Sequence, residues 1–203
     1  MRSRSLKRLR CLTATDDPED PSADDDDVAE VGQIDNCVYF YGPVEEKRNL
    51  ALLKALHAAS RVALERCDWP DQARVYLYIN SSGGDAYAGL GAMDQIRLNR
   101  VPIVAIAEGF VASAATFMLL GAHERKAMTH AKVLIHQLST GFWGKYNDLL
   151  DEMQNSKELM ATITEVYKDR TRLTTKHIER LLRKELHMSA SDALQHGIVD
   201  EIW

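Results

Sequence analysis

Between Val101 and Leu119 the hydrophobic period of the chain changes once, and that change limits what it can fold into more than any other stretch. Val101-Pro-Ile-Val-Ala-Ile-Ala107 is a β-branched apolar run of strand length. In Glu108-Gly-Phe-Val-Ala-Ser-Ala-Ala-Thr-Phe-Met-Leu119 the apolar spacing becomes helical just after Gly109. Gly109 therefore marks a strand-to-helix turn, with Ser113 in the first helical turn beyond it. A hydroxyl at that position lies beside free backbone N–H groups and the positive end of a helix dipole. An acyl-transfer nucleophile belongs there, because the same donors can hold an oxyanion. A plainer alternative is a small residue that lets a helix pack closely, and this stretch alone does not choose between them.

The remaining composition is that of an ordinary folded protein. Of the 203 residues, 45% are hydrophobic and 27% charged, enough for one domain with a real core plus extensions. The net charge of −5 is unevenly placed. Residues 1–32 hold Arg2, Arg4, Lys7, Arg8 and Arg10, then nine acidic residues from Asp16 to Glu30, so the tail carries −4 and the body −1. A nearly neutral body gives no electrostatic reason to expect a nucleic-acid partner. Cys11, Cys37 and Cys67 lack metal-ligand spacing and suit a reducing, cytoplasmic compartment. No apolar segment follows the basic start, so no secretory signal is expected. Residues 101–122 are apolar enough to suggest a membrane span, but Pro102, Glu108 and Gly109 interrupt them and a strand plus helix accounts for them better.

Taken in order, residues 1–33 read as a disordered basic-then-acidic tail, and residues 34–203 as the folded domain. Val38–Tyr41 reads as a strand, Val44 to about Cys67 as an amphipathic helix, Val75–Ile79 as a second strand and Ala86–Leu98 as a second helix. After the Ser113 helix comes a connection over Gly121–Met128, then a strand at Lys132–Ile135. Tyr146 to about Asp169 is a long amphipathic helix, longer than one small core requires, which suits contact with another subunit. Ile178–Glu185 reads as a shorter helix, Met188–Asp192 as a fresh capping-box N-terminus, and Ile198–Val199 as a closing strand. Strands alternating with helices imply right-handed crossovers and a mostly parallel α/β sheet. Ligands of such sheets bind beyond the carboxyl ends of the strands, where Ser81–Gly84, Gly109–Ser113 and His136 all fall.

Within that crevice Ser82-Gly-Gly84 directly follows a strand, and glycines there allow an N–H to point inward or simply make a tight turn. It is no phosphate cradle, since Gly-x-x-x-x-Gly-Lys-Ser/Thr is absent and Gly89-Leu-Gly91 is followed by Asp94 where a dinucleotide site wants glycine. Of seven histidines, His136 alone ends a buried strand at the crevice edge. It is either a satisfied core histidine or the base that a serine hydroxyl needs near neutral pH.

Ile79-Asn-Ser-Ser-Gly-Gly84, Gly109-Phe-Val-Ala-Ser-Ala115, Leu134-Ile-His-Gln137 and Met188-Ser-Ala-Ser-Asp-Ala-Leu-Gln-His-Gly-Ile-Val-Asp200 together resemble the proteolytic subunit of the Clp protease, in order and spacing, over about residues 34–203. The resemblance implies a crotonase-like α/β fold of ββα repeats with a protruding handle helix, here residues 146–169 after the loop 139–144. It implies a serine endopeptidase in which Ser113 is the nucleophile, His136 the base, and the backbone N–H groups of Gly84 and Ala114 the oxyanion hole. It further implies a homo-oligomer of two heptameric rings, fed with unfolded polypeptide by a hexameric AAA+ unfoldase. ATP would belong to that partner, and no cofactor, metal, nucleic acid or membrane would be bound here.

The sequence departs from the family pattern in three places. The third triad member is an aspartate in the family, and its place falls on Glu185, which keeps the carboxylate but adds about 1.5 Å of reach. Ser82 replaces a proline of the glycine loop, which should loosen it, and the connection after Ser113 is slightly short. Two other readings follow: an inactive structural subunit of a mixed ring, or an acyl-CoA enzyme of the related crotonase architecture. A phage protease that processes capsid proteins is a variant of the leading reading.

Overall fold

The computed structural model describes residues 31–203; the expected tail lies outside the described residues, except that the fold takes in Gly32 and Gln33. These two open strand β1 (Gly32–Ile34), which pairs antiparallel with β2 (Cys37–Tyr41) across a tight turn. Asp35 makes that turn at φ +55°, a conformation Asp tolerates better than most residues. Helix α1 (Glu46–Glu65) follows, then β3 (Val75–Ser81), α2 (Ala86–Arg97), β4 (Ile103–Ala112) and α3 (Ala114–Gly121). The second half comprises β5 (Glu124–Ala127), β6 (Lys132–Leu134), α4 (Tyr146–Arg170), α5 (Thr175–Leu182), β7 (Met188–Ser189), α6 (Ala190–Gln195) and β8 (Glu201–Ile202).

The strands form one sheet in the order β1-β2-β3-β4-β5-β8, with β6 beside the far half of β4 and β7 antiparallel to β6. Every other neighbour pair after the β1–β2 hairpin is parallel, as the alternation of strand and helix implies. Alternation along the strands sorts their faces. Val38, Phe40, Val75, Leu77 and Ile79 are fully buried, while Tyr39, Tyr76 and Tyr78 point the other way. Tyr39 and Tyr78 are partners across the strand pair and stack with ring centroids 5.0 Å apart.

Strand β4 is the spine of the site. Its first half, Val104–Ala107, pairs with β5, and its last three residues, Phe110–Ala112, pair with β6. Between the halves the register against β3 jumps from Ile79↔Ala107 to Ser81↔Val111, so β4 carries extra residues in a bulge at Gly109. Gly109 has φ +61°, and a side chain there would begin 2.9 Å from the Asn80 amide nitrogen, so any other residue would be strained and would have to displace that amide. Gly109 is therefore a bend inside the strand, and the strand ends at Ala112 instead of before Gly109. Helix α3 begins at Ala114, which leaves Ser113 at the junction as its N-cap residue.

Three further expectations give way to hydrogen bonding. Residues 124–127 form strand β5, although the sequence reads as a connection. The helix expected over 178–185 stops at Leu182, because the Leu182 carbonyl accepts the Gln137 N–H at 2.8 Å instead of continuing the helical ladder. Ile198 and Val199 do not form a strand, because both donate to the Ala193 carbonyl and close α6 past Gly197; pairing resumes at Glu201–Ile202. The capping box is present, with Ser189 Oγ accepting the Asp192 N–H and Asp192 accepting the Ser189 N–H. Those bonds from Ser189 hold the Asp192 carboxyl below the usual aspartate value.

Helix α4 is docked by one end only. Leu159, Ile163 and Tyr167 are its buried residues, whereas Tyr146, Leu149, Leu150 and Met153 in its first turns are exposed. At the docked end Arg170 donates to the carbonyls of Leu120 and Ala122, where α3 runs out of helical partners. Among the described residues no helix is long and apolar enough to cross a membrane.

Candidate active site

The carboxyl ends of β3, β4 and β6 converge as the parallel topology requires. In the β4–β6 ladder Ala112 lies opposite Leu134, so Ser113 is one residue beyond one strand and His136 two beyond its neighbour. The register thus brings a serine and a histidine to the ends of adjacent strands, whose axes lie about 4.8 Å apart, with His136 one residue further along than Ser113. Both are buried, Ser113 at 5% and His136 at 6% exposure.

Ser113 adopts φ +54°, ψ −126°, a region that costs a non-glycine residue about 1–3 kcal/mol and persists only where its surroundings enforce it. The enforcement is visible. Its N–H donates to the Leu134 carbonyl at 2.9 Å, and its carbonyl accepts both the Thr116 N–H at 2.9 Å and the Thr116 hydroxyl at 2.6 Å. The Thr116 oxygen in turn lies 2.6 Å from the hydroxyl of Tyr167, on the docked end of α4.

The glycine loop closes over the serine from the other side. A Cβ on Gly83, at φ +99°, would fall 2.6 Å from Ser113 Cβ and 2.8 Å from the Ala112 carbonyl. Gly83→Ala is accordingly expected to lower stability by about 1–3 kcal/mol and to slow modification of Ser113. A denaturation midpoint and a probe-labelling rate check the two effects together. The loop is tied down despite lacking a proline: Gly83 N–H donates to Ser81 Oγ, Val44 N–H to the Gly83 carbonyl, and Asp85 N–H to the Val44 carbonyl. Asp85 then caps α2 through the Ala88 N–H. With Val44 bonded to the residues on either side of Gly84, the N–H of Gly84 itself is turned away from Val44. Ala114 is the first residue of α3, so its N–H has no intrahelical acceptor.

His136 Nδ1 lies 2.9 Å from Glu185 Oε1. Glu185 stands in the irregular stretch between α5 and β7, fixed beside His136 by the Gln137–Leu182 bond and by Lys184 N–H closing onto the Leu181 carbonyl. The carboxylate holds a proton on Nδ1, which leaves Nε2 as the basic nitrogen of the neutral ring. The Glu185 side chain is 67% exposed, so water competes for it. The longer carboxylate thus reaches the histidine from a loop at the rim of the crevice.

Sequence reasoning names Ser113, His136, Glu185, Gly84 and Ala114, and the fold brings the stretches that carry them together. It does not find Thr116 or Tyr167. One local signal was available, since Thr116 is the sole polar side chain of α3.

Comparison with known proteins gives the family of the chain. The family model described as Clp protease matches residues 35–203. A relative from Pleurastrum terricola, named an ATP-dependent Clp protease proteolytic subunit, is 33% identical over 132 residues, 64% of this chain and 67% of its own. Proteins of the same name from Deinococcus radiodurans and Chlorella vulgaris are 30% and 29% identical, the matches covering 66% of this chain and 66% of the relative in the first case and 63% and 65% in the second. The matched regions thus span about two thirds of these relatives. A match over nearly all of the folded chain, on a crotonase-like mixed α/β sheet, means that the chain belongs to the Clp protease family, a family of serine peptidases.

Proposed function

We propose that the chain is a serine endopeptidase, the proteolytic subunit of a self-compartmentalising, ATP-dependent protease that degrades unfolded polypeptides. The observation that carries this reading is the His136 Nδ1–Glu185 contact beside a serine held in a strained turn. Ser113 Oγ attacks the peptide carbonyl as His136 Nε2 takes its proton. The carbonyl π electrons move onto oxygen, and the N–H groups of Gly84 and Ala114 stabilise that oxyanion. When the carbonyl re-forms, the C–N bond breaks and the amine leaves with the proton from His136. Water, deprotonated by the same histidine, then hydrolyses the acyl-serine and restores Ser113. Glu185 keeps the ring in the productive tautomer and stabilises the imidazolium.

The undocked end of α4 supports assembly with further copies. Phe142, Trp143, Tyr146, Leu149, Leu150 and Met153 present an apolar surface that a second copy of this chain would cover. We read this surface as the meeting face of two heptameric rings, with a hexameric AAA+ unfoldase as the outer partner that hydrolyses ATP. The chemistry needs no cofactor of its own. The free thiols Cys37 and Cys67 favour a reducing, cytoplasmic compartment.

Labelling of the assembled protein with a fluorophosphonate, followed by peptide mapping, tests the reading. One adduct on the peptide containing Ser113 is the expected result. An intact ring that takes up no probe would favour a structural subunit instead.

A further inference from the structure

Helix α3 lies wholly within the core, and in its apolar sequence Thr116 is 0% exposed. Its hydroxyl carries a single proton. The Ser113 carbonyl can only accept, so that proton goes to it, and the Tyr167 hydroxyl must be the donor to Thr116 Oγ1. The buried relay therefore runs from Tyr167 O–H to Thr116 O–H to the Ser113 carbonyl, each contact 2.6 Å long. Tyr167 is 1% exposed and packs its ring against Phe117, with centroids 5.8 Å apart. A valine–phenylalanine pair of similar shape would fill this space with no polar groups to satisfy. What the two hydroxyls add is a second hold, at 2.6 Å, on the direction of a carbonyl that the Thr116 N–H already engages at 2.9 Å.

That direction falls on one peptide plane. The carbonyl of Ser113 and the N–H of Ala114 belong to the same planar, trans unit, so fixing one fixes the other, pointing opposite ways. The carbonyl is held toward α3 by Thr116, and the Ala114 N–H then faces the crevice. Across it lies Gly83, where an added Cβ would approach the Ala114 nitrogen to 3.2 Å.

We propose that Tyr167, acting through Thr116, is a positioning residue that orients the Ser113–Ala114 peptide so that the Ala114 N–H is aimed at the oxyanion. This rests on the reading of Ser113 as nucleophile. The donor is weakened in the transition state, not in substrate binding, when the relay is cut. Losing an oxyanion donor outright costs about 10²–10³ in rate, and loosening one costs a fraction of that.

The test is steady-state cleavage of a short peptide, with inhibition by a peptide boronic acid whose tetrahedral adduct mimics the oxyanion. Tyr167→Phe is expected to lower kcat about ten-fold and weaken the boronate about ten-fold, a loss typical of one hydrogen bond, with KM unchanged. Thr116→Val should do the same, and the double variant should be no slower than the slower single, because the two hydroxyls act in series. Thr116→Ser keeps the donor and should retain wild-type kcat. If Tyr167→Phe and Thr116→Val only lower the melting temperature, with kcat and boronate affinity within two-fold of wild type, the relay is structural and the inference is wrong. If Tyr167→Phe does not assemble, Thr116→Val and Thr116→Ser decide by the same readouts. A wild type that neither cleaves peptide nor takes up a fluorophosphonate at Ser113 removes the nucleophile, and this inference with it.

Discussion

Ser113→Ala is expected to lower kcat for peptide cleavage by about 10⁶, the loss seen when the nucleophile is removed from a serine–histidine–carboxylate set. The substitution should leave the fold almost untouched. The turn is held through main-chain groups, the Ser113 N–H on Leu134 and the Ser113 carbonyl on Thr116, and alanine provides both. Alanine also meets the same backbone strain at φ +54° that serine does, so that term cancels. A residual acceleration of about 10³–10⁴ over water should survive, because binding and the oxyanion donors remain. Single-turnover cleavage at saturating enzyme, beside a melting curve, measures both halves. A variant within ten-fold of wild type would mean that Ser113 is only the small residue its packing allows.

The parts of this site that local pattern determines could be read from the sequence, and the parts that tertiary pairing determines could not. Ser113 was legible because the hydrophobic period changes on either side of it, and His136 because it ends an apolar run. The end of β4 was not. A strand buried on both faces has no alternation to mark its length, and Gly109 reads as a terminator when it is a bulge that bends the strand and lets it continue. Strand β5 was hidden because Glu124, Arg125 and Lys126 look like a solvated connection. They are held by the β4 ladder and by ion pairs from Arg125 to Asp200 and Lys126 to Glu201. The relay from Tyr167 to Thr116 joins residues 51 positions apart, and no local spacing announces such a contact. Glu185 lay between these cases. Resemblance marked the position, but a helix drawn through it would have held its backbone differently; one hydrogen bond between Gln137 and Leu182 ends that helix and frees the loop.

Glu185→Gln is expected to lower kcat by about 10³. Replacing the carboxylate of such a triad by its amide costs about 10⁴ where the group is buried, because the neutral amide stabilises no imidazolium and can favour the wrong tautomer of the histidine. At Glu185 the loss should be smaller, since a side chain 67% exposed shares both tasks with water. Glu185→Asp separates charge from reach. It restores the family's residue type but withdraws the oxygen by about 1.5 Å from a contact that is now 2.9 Å. The loop between α5 and β7 is anchored at both ends and cannot follow freely, so Glu185→Asp should fall between wild type and Glu185→Gln. The fluorophosphonate labelling rates of the three proteins, each assembled, give the order directly. Should Glu185→Gln label within three-fold of wild type, His136 is oriented by something other than this carboxylate, and the divergence at this position carries no catalytic meaning. Should Glu185→Asp outpace wild type, the longer side chain is a brake on the nucleophile, and the chain is a deliberately slow member of its family.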